Sequence, residues 1–275
     1  MARLRHLVVV VPGIGGSVLK TAGGSLVWGH GLGALAGALV DPSRLSLAEH
    51  PSLRPVGLLP SVRVLPWMVV PGYDDLVRQL INTFGLGNDD VDIACDQGMR
   101  KPGASLVLFP YDFRLGVPSA ARRLAAEIRL RLEDLTEDAR HQRVIIIAHS
   151  LGGLVARFWL GSLNGASCCK ALITLGTPHR GAPKALDWLL NGIRVGPGPV
   201  SVVTSHLLAS AAAVVQEWAS TYDLLPRYRA VRDDKTGIDY YPHELSAVAG
   251  QAFVKQADAA FAMHREIETA WDSLE

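Results

Sequence analysis

Four short apolar runs without alternating polar residues stand out along the chain, and Gly or Pro follows each of them closely. Their Val, Ile and Leu content is typical of strands that are buried on both faces of a parallel sheet. We predict strands at 7–11, 106–109, 144–148 and 171–175. Because helix-like segments alternate with these runs, the pattern predicts a mostly parallel α/β sheet with right-handed crossovers.

An amphipathic helix is predicted between the second and third runs. Leu124, Ile128, Leu132 and Leu135 lie three or four residues apart and so share one face, and Ser119 is suited to cap the first turn. The opposite face carries Arg, Glu and Asp, as a solvated helix surface does. The tail from residue 252 onward has the pattern of one or two further helices.

Two stretches, 20–66 and 190–225, break this alternation and are rich in Gly, Pro, Ser and Ala. A chain of 275 residues, 49% of them apolar, can bury the core of one large α/β domain. We therefore predict a single domain across 1–275, with these stretches as lid or cap excursions. The second stretch has apolar pairs without a clear period, which a lid over a lipid site and a plain buried helix pair explain equally well.

Composition and charge exclude several classes of protein. The net charge is +1 and the 27 Lys and Arg residues are spread along the chain, so we expect no nucleic-acid partner. No window reaches about 18 uninterrupted apolar residues, so we expect no transmembrane segment, and the run at 7–11 is too short for a signal peptide. Cys95, Cys168 and Cys169 are odd in number and two are adjacent, which favours reduced thiols and a cytoplasmic protein.

The stretch 144–158 carries the strongest chemical signal, because a buried strand, an abrupt turn and an apolar-faced helix follow one another. Ser150 occupies the turn, with the small residues Ala148, Gly152 and Gly153 around it. A tight strand-to-helix turn needs small neighbours and exposes the serine hydroxyl above the sheet. This context predicts the nucleophile turn of an α/β-hydrolase; an ordinary capping serine on a glycine-rich turn is the alternative.

Such a nucleophile needs backbone donors for the oxyanion that develops during acyl transfer. The N–H of Leu151 is suited to this role, because it follows the nucleophile at the start of the helix. The glycine-rich segment 12–17, directly after the first strand, could bring the N–H of Ile14 close to Ser150. A dinucleotide or phosphate loop is the rival interpretation of this segment, but Val18 stands where its third glycine should be.

The chain resembles the lecithin:cholesterol acyltransferase family and related bacterial lipase-like α/β-hydrolases in six segments that occur in the expected order. Each segment alone is weak, whereas the ordered set is specific. The segments are VPGIGGS at 11–17, PGYD at 71–74, FPYDFRL at 109–115, AHSLGG at 148–153, LGTPHRG at 175–181 and STYDLLP at 220–226.

The resemblance implies an acyl-enzyme mechanism that needs no cofactor or metal. In it, Ser150 attacks a lipid-like acyl ester, the N–H groups of Ile14 and Leu151 hold the oxyanion, and water or an alcohol takes the acyl group. Asp112 and Arg114 match a motif of the family, and we interpret them as a structural ion pair near the site. His149 adjoins the nucleophile, where its ring should point away from the hydroxyl, so we do not assign it as the general base.

The catalytic acid and histidine that follow the nucleophile in α/β-hydrolases are not recognisable here. The family's Gly-Asp-Gly-Thr-Val segment and a later His are absent, so we predict a sheet truncated after the strand that follows the nucleophile strand, and a homologue lacking the C-terminal part. The remaining candidates are more typical of surface residues: Asp233, Asp234, Asp239 and Asp258 for the acid, and His243 or His264 for the base. An unpaired sheet edge would invite a partner chain that completes the sheet.

Two functional hypotheses follow. One is a serine lipase, esterase or acyltransferase, with hydrolysis favoured because nothing identifies an acceptor alcohol. The other is a catalytically inactive homologue that binds an acyl ligand or a partner chain, which the missing acid and base favour. A nucleotide-binding α/β protein is a third and weaker interpretation.

Overall fold

A computed structural model describes residues 4–29, 37, 41–65, 68–70, 72–95, 100–133, 140–141, 143–192 and 211–273. Its twelve strands are β1 (Leu7–Val11), β2 (Ser17–Lys20), β3 (Leu26–Trp28), β4 (Arg54–Leu58), β5 (Val62–Leu65), β6 (Met68–Val70), β7 (Val91–Ile93), β8 (Leu106–Leu108), β9 (Val144–His149), β10 (Cys169–Leu175), β11 (Val231–Arg232) and β12 (Asp239–Tyr240). The α-helices that we label are α1 (Asp74–Phe84), α2 (Val117–Leu132), α3 (Leu151–Ser162), α4 (Pro183–Asn191), α5 (Ala219–Asp223) and α6 (Ser246–Asp272).

Five parallel strands form the central sheet, in the order β10-β9-β1-β8-β7. The predicted α/β fold class is confirmed, and the four predicted strands are the first four in this order. β7 has only three residues, and the charged Asp92 at its centre hid it from the sequence analysis. Arg131 compensates this largely buried carboxylate with an Nη2–Oδ2 distance of 2.8 Å.

Helices cover the sheet on both faces because neighbouring strand residues point to opposite sides. Val9 and Val11 of β1 belong to the large core under α2, α3 and α6, whereas Val8 and Val10 pack in a second cluster with α1. Within the described residues, no helix is long and apolar enough to cross a membrane.

The start of α2 differs from the prediction. The helix begins at Val117 with Gly116 as its N-cap, and Ser119 lies inside the first turn. The Val117 N–H instead donates to the Asp223 carboxylate, 2.6 Å away, so a distant segment caps this helix. Leu135, the last residue of the predicted apolar face, lies outside the described residues.

The two predicted excursions are described only in part. In the first, β3, β2 and β4 form a small antiparallel sheet and β5 pairs with β6. Residues 193–210, which hold two of the four apolar pairs assigned to a lid, lie outside the described residues. The single-domain division and the lid therefore stay predictions.

One outer strand of the sheet exposes apolar side chains. On β10, Ile173 is 47% and Leu175 is 41% exposed, although they continue the face on which Ile147 of β9 is buried. Parallel sheets are normally covered on both faces, so this part of the surface is suited to contact further protein.

A buried ion pair joins the first excursion to the loop after β8. Arg114 binds Asp112 through two bonds, Nε–Oδ1 at 2.9 Å and Nη2–Oδ2 at 2.7 Å, and neither side chain is more than 7% exposed. Its Nη1 also donates to the carbonyl oxygen of His50 at 2.8 Å. The guanidinium is thus fully paired inside the protein, as a buried charge requires.

We predict that Arg114→Met lowers the free energy of unfolding by about 3–5 kcal/mol, because it leaves the Asp112 carboxylate buried without its partner. Urea denaturation followed by circular dichroism measures the change. Arg78→Met is the control: Arg78 pairs with Asp74 and Asp75 on the surface and is 63% exposed, so it should alter stability little. A similar small loss in both variants would contradict the structural role of the buried pair.

Candidate active site

Ser150 occupies a strained turn between strand β9 of the central sheet and helix α3. Its backbone has φ 50° and ψ −122°, a region that residues with a side chain rarely adopt. Helix α3 starts at the next residue, and the Ser150 N–H donates to the Leu175 carbonyl oxygen at 2.9 Å, which fixes the turn to the end of β10. The Ser150 side chain is only partly buried at the carboxyl end of the sheet.

The glycines after Ser150 let helix α3 pack closely against its surroundings. A Cβ on Gly152 would lie 2.5 Å from the Pro12 carbonyl oxygen, and one on Gly153 would lie 2.0 Å from the Thr177 hydroxyl. Both distances are shorter than any van der Waals contact, so a side chain at either position would push the helix away from the loops that surround the turn.

The glycine-rich loop after β1 lies directly against this turn. A Cβ on Gly13 would be 2.8 Å from the Ser150 Cβ, and the loop is closed by a 3.0 Å hydrogen bond from Gly16 N–H to Gly13 O. Ile14 is the next residue in this loop, and Leu151 is the first residue of α3. Among the described residues, neither of their N–H groups donates to a protein acceptor.

A tyrosine that the sequence analysis did not assign holds the loop and the turn together. The Tyr73 hydroxyl accepts from the Gly13 N–H at 2.8 Å and lies 2.7 Å from Nδ1 of His149. Burial raises the pKa of Tyr73 to about 12 and lowers the pKa of His149, so both groups are neutral near pH 7. The Tyr73 O–H therefore donates to Nδ1, and the His149 ring is fixed by Tyr73. Tyr73 lies in the PGYD segment that the sequence analysis singled out, but only the fold shows that it contacts Gly13 and His149.

Asp112 and Arg114 lie behind the glycine-rich loop. The contacts of Arg114 are to Asp112 and to the carbonyl oxygens of the first excursion, and none is to Ser150. Their neighbour Tyr111 connects them to the site, because its hydroxyl donates to the Pro12 carbonyl oxygen at 2.8 Å.

The predicted candidates for acid and base are not assembled around Ser150. Asp234, Asp239 and Asp258 are exposed, and Asp233 accepts from backbone N–H groups of its own turn. His243 packs against Phe261 with ring centroids 4.4 Å apart. Within the part of the chain that the structure describes, no imidazole or carboxylate hydrogen-bonds to Ser150, and no group of His, Cys, Asp or Glu side chains is arranged to hold a metal ion.

His264 is buried next to Asp223, a carboxylate that the sequence analysis overlooked. The His264 Nε2 lies 2.8 Å from the Asp223 carbonyl oxygen, to which it donates. Burial lowers the pKa of His264 to about 4, with Arg227 and Arg157 adding to this effect. Burial also raises the pKa of the Asp223 carboxyl to about 7, although its bond from Val117 acts in the opposite direction. Asp223 lies in the STYDLLP segment that the sequence analysis singled out, but its burial cannot be recognised from the sequence alone.

The chain is similar to one protein family in sequence and to a solved structure in fold. The sequence model of the lecithin:cholesterol acyltransferase family matches residues 91–271, which include the Ser150 turn. Among solved structures, a chain of "The crystal structure of Tle4-Tli4 complex" has a TM-score of 0.58 and 17% sequence identity, over 96% of this chain and 72% of that one. At this identity the likeness shows a shared fold. No curated protein matches the sequence.

We predict that Gly13→Ala disturbs the Ser150 turn and costs about 1–3 kcal/mol of stability, because its Cβ would collide with Ser150 and His149. Thermal unfolding measures the loss. Gly57→Ala is the matched control, since nothing lies within 4 Å of a Cβ at that position. Equal unfolding temperatures for the two variants would mean that the loop can move away from the turn without cost.

Asp223 and His264 are predicted to affect stability in opposite directions as the pH changes. Asp223 binds its proton more tightly in the folded chain than in the unfolded chain. Its contribution to the free energy of unfolding is therefore fully present below its ordinary pKa of 3.8 and is lost as the pH rises to about 7. His264 binds its proton less tightly in the folded chain, so its contribution is fully present above 6.5 and is lost as the pH falls to about 4. In the wild type the two effects largely cancel.

Single variants should reveal each contribution. We expect the stability of Asp223→Asn to fall with decreasing pH and that of His264→Gln to fall with increasing pH between about 4 and 7. The slope relative to wild type should approach about 1.4 kcal/mol per pH unit. Urea unfolding across this range is the measurement, and curves that run parallel to wild type would contradict the assignment.

Proposed function

Because the chain belongs to the lecithin:cholesterol acyltransferase family, we propose that it is a serine acyl-ester hydrolase or acyltransferase for lipid-like substrates, with Ser150 as the nucleophile. Hydrolysis is the favoured reaction, since no feature of the chain identifies an acceptor alcohol. The free thiols of Cys95, Cys168 and Cys169 fit a reducing compartment such as the cytoplasm.

The backbone of Ser150 is the single observation that carries this proposal. A serine with φ 50° at the junction of a parallel strand and a helix is costly to hold, and such strain persists where the surrounding structure enforces it. The same conformation is the one that lifts a nucleophilic hydroxyl above the sheet in α/β-hydrolases. A serine that only capped the helix would need no positive φ, because N-cap residues adopt extended conformations.

The backbone around Ser150 also supports the proposed oxyanion site. The Ile14 N–H belongs to the loop that touches Ser150, and the Leu151 N–H belongs to the first turn of α3, where the helix dipole favours negative charge. Two such donors would hold the carbonyl oxygen when the Ser150 Oγ attacks the acyl carbon and the alcohol leaves. Tyr73 would preserve this spacing by fixing Gly13.

A second candidate function rests on a different observation. Among the described residues, neither a histidine nor a carboxylate contacts the Ser150 hydroxyl, and a serine without a positioned base loses orders of magnitude in rate. The chain could therefore bind an acyl ligand without turnover, or gain its base from a partner chain at the exposed β10 face. The similar Tle4-Tli4 structure is itself a complex, which is compatible with a partner chain for this protein.

Covalent labelling by a fluorophosphonate probe distinguishes the two candidates. We expect the wild type to be labelled and Ser150→Ala to be unlabelled, because only an activated hydroxyl reacts with the phosphorus centre. Ser162→Ala, which changes a serine at the far end of the same helix, should leave the labelling intact. Absence of label in the wild type, together with saturable binding of a fluorescent fatty acid, would instead favour the binding function.

A further inference from the structure

A cavity that Ser150 does not line lies between the loop after β10, the segment after α5 and one face of α6. Its volume is about 320 Å³. Three arginines from these three parts of the chain line it, namely Arg180, Arg227 and Arg265, together with His264, Tyr241 and Phe261. Glu268 is the one carboxylate among its described lining residues.

The charges around this cavity are not balanced. Glu268 forms an ion pair with Arg227, whereas Arg180 and Arg265 have no carboxylate partner among the described residues. Arg180 instead lies over the ring of Tyr228, 5.2 Å from its centroid. Arg227 is partly buried, whereas Arg180 and Arg265 are exposed. The cavity is thus lined by three guanidinium groups and one carboxylate, and such an excess of positive charge attracts an anion.

The electrostatic effects of these arginines on each other support this conclusion. Burial lowers the pKa of Arg227, and the nearby Arg180 lowers it further. The pKa of Arg157, on α3, is lowered by burial and then by Arg227. Like charges that repel in this way lower each other's affinity for protons, and a bound anion would reverse the effect.

Arg227 also has a polar atom without a partner. Its Nε is buried and makes no hydrogen bond, although its backbone N–H donates to the Arg180 carbonyl oxygen at 3.2 Å. Buried donors in folded proteins almost always have an acceptor, which can be a ligand. The missing acceptor and the unbalanced charge occur at the same arginine.

We propose that this cavity binds a phosphate group, presented either by the head group of a lipid or by a small free phosphate. A planar carboxylate accepts two parallel hydrogen bonds from one guanidinium group, whereas the oxygens of a tetrahedral phosphate accept hydrogen bonds from several directions. Arginines that converge from a loop, an extended segment and a helix match the second geometry. The neutral His264 adds no charge, so the binding energy comes from the arginines.

The cavity is separate from the Ser150 hydroxyl, because Ser150 is not among the residues that line it. Arg180 lies in the loop that begins after Leu175, the residue whose carbonyl oxygen fixes Ser150. A phosphate bound there would touch the arginines and not the reacting hydroxyl. Phosphate binding can therefore be tested without turnover, and its failure would leave the labelling experiment on Ser150 unaffected.

Isothermal titration calorimetry with inorganic phosphate, at constant ionic strength, tests the proposal on the full chain. We expect saturable binding that Arg265→Gln and Arg180→Gln each weaken by about tenfold, since each removes one charge-assisted contact. Lys255→Gln is the matched control, because it removes the same charge from an exposed position of α6 outside the cavity. An equal loss in all three variants would overturn the proposal in favour of a nonspecific charge effect.

Vesicle flotation distinguishes the two sources of phosphate. Vesicles of a galactolipid, which has no phosphate, that contain phosphatidic acid are compared with galactolipid vesicles of equal surface charge that contain oleic acid. Arg265-dependent binding to the phosphatidic acid vesicles alone assigns the site to a lipid head group, and binding of inorganic phosphate alone assigns it to a free phosphate. If inorganic phosphate does not bind and the two kinds of vesicle bind equally or not at all, the phosphate site is refuted.

Discussion

The parallel pairing of β1 with β9 is the constraint on which the rest of the site depends. The two strands pair over five residues, from Leu7 with Val144 to Val11 with Ala148. The segments that follow them therefore leave the sheet next to each other at its carboxyl edge. The glycine-rich loop and the Ser150 turn must then share the space above the strand ends. Only a glycine at position 13 fits that space, because any Cβ there would meet the Cβ of Ser150. Sheet register, through this contact, sets the distance between the hydroxyl and the loop amides.

The site is held together by polar contacts from segments that are far apart in sequence. Tyr73 reaches both Gly13 and His149, which are 60 and 76 residues away along the chain. The Tyr111 hydroxyl fixes the Pro12 carbonyl oxygen from the opposite side of the same loop. These contacts fix the positions of the loop amides. In the proposed mechanism, donors held in this way would stabilise a developing charge without reorganisation during the reaction.

The sequence analysis succeeded where the determining interactions are local and failed where they are distant. Four strands were predictable because buried parallel strands are uninterrupted apolar runs, and the Ser150 turn was predictable because strand, small residues and helix are contiguous. β7 was missed because Asp92 interrupts it, and its compensating charge on Arg131 comes 39 residues later. The cap of α2 was assigned to the wrong residue, because Asp223, which is 106 residues after Val117, caps the helix in place of Ser119. Pairing over such distances is decided by the fold and leaves no periodic signal.

Arg114 and residues of the second excursion bind the same backbone turn of the first excursion. Its guanidinium donates to carbonyl oxygens at 45–50, and the Leu45 carbonyl oxygen also accepts from Trp218 Nε1 at 3.1 Å. The adjacent Glu217 accepts from the Ser46 hydroxyl at 2.8 Å, so residues before α5 bind the same backbone turn that Arg114 holds. Because Asp223 at the end of α5 also caps α2, a shift in this helix would break contacts with both the first excursion and the core. From residue 217 onward, the described part of the second excursion is therefore anchored to both the first excursion and the core.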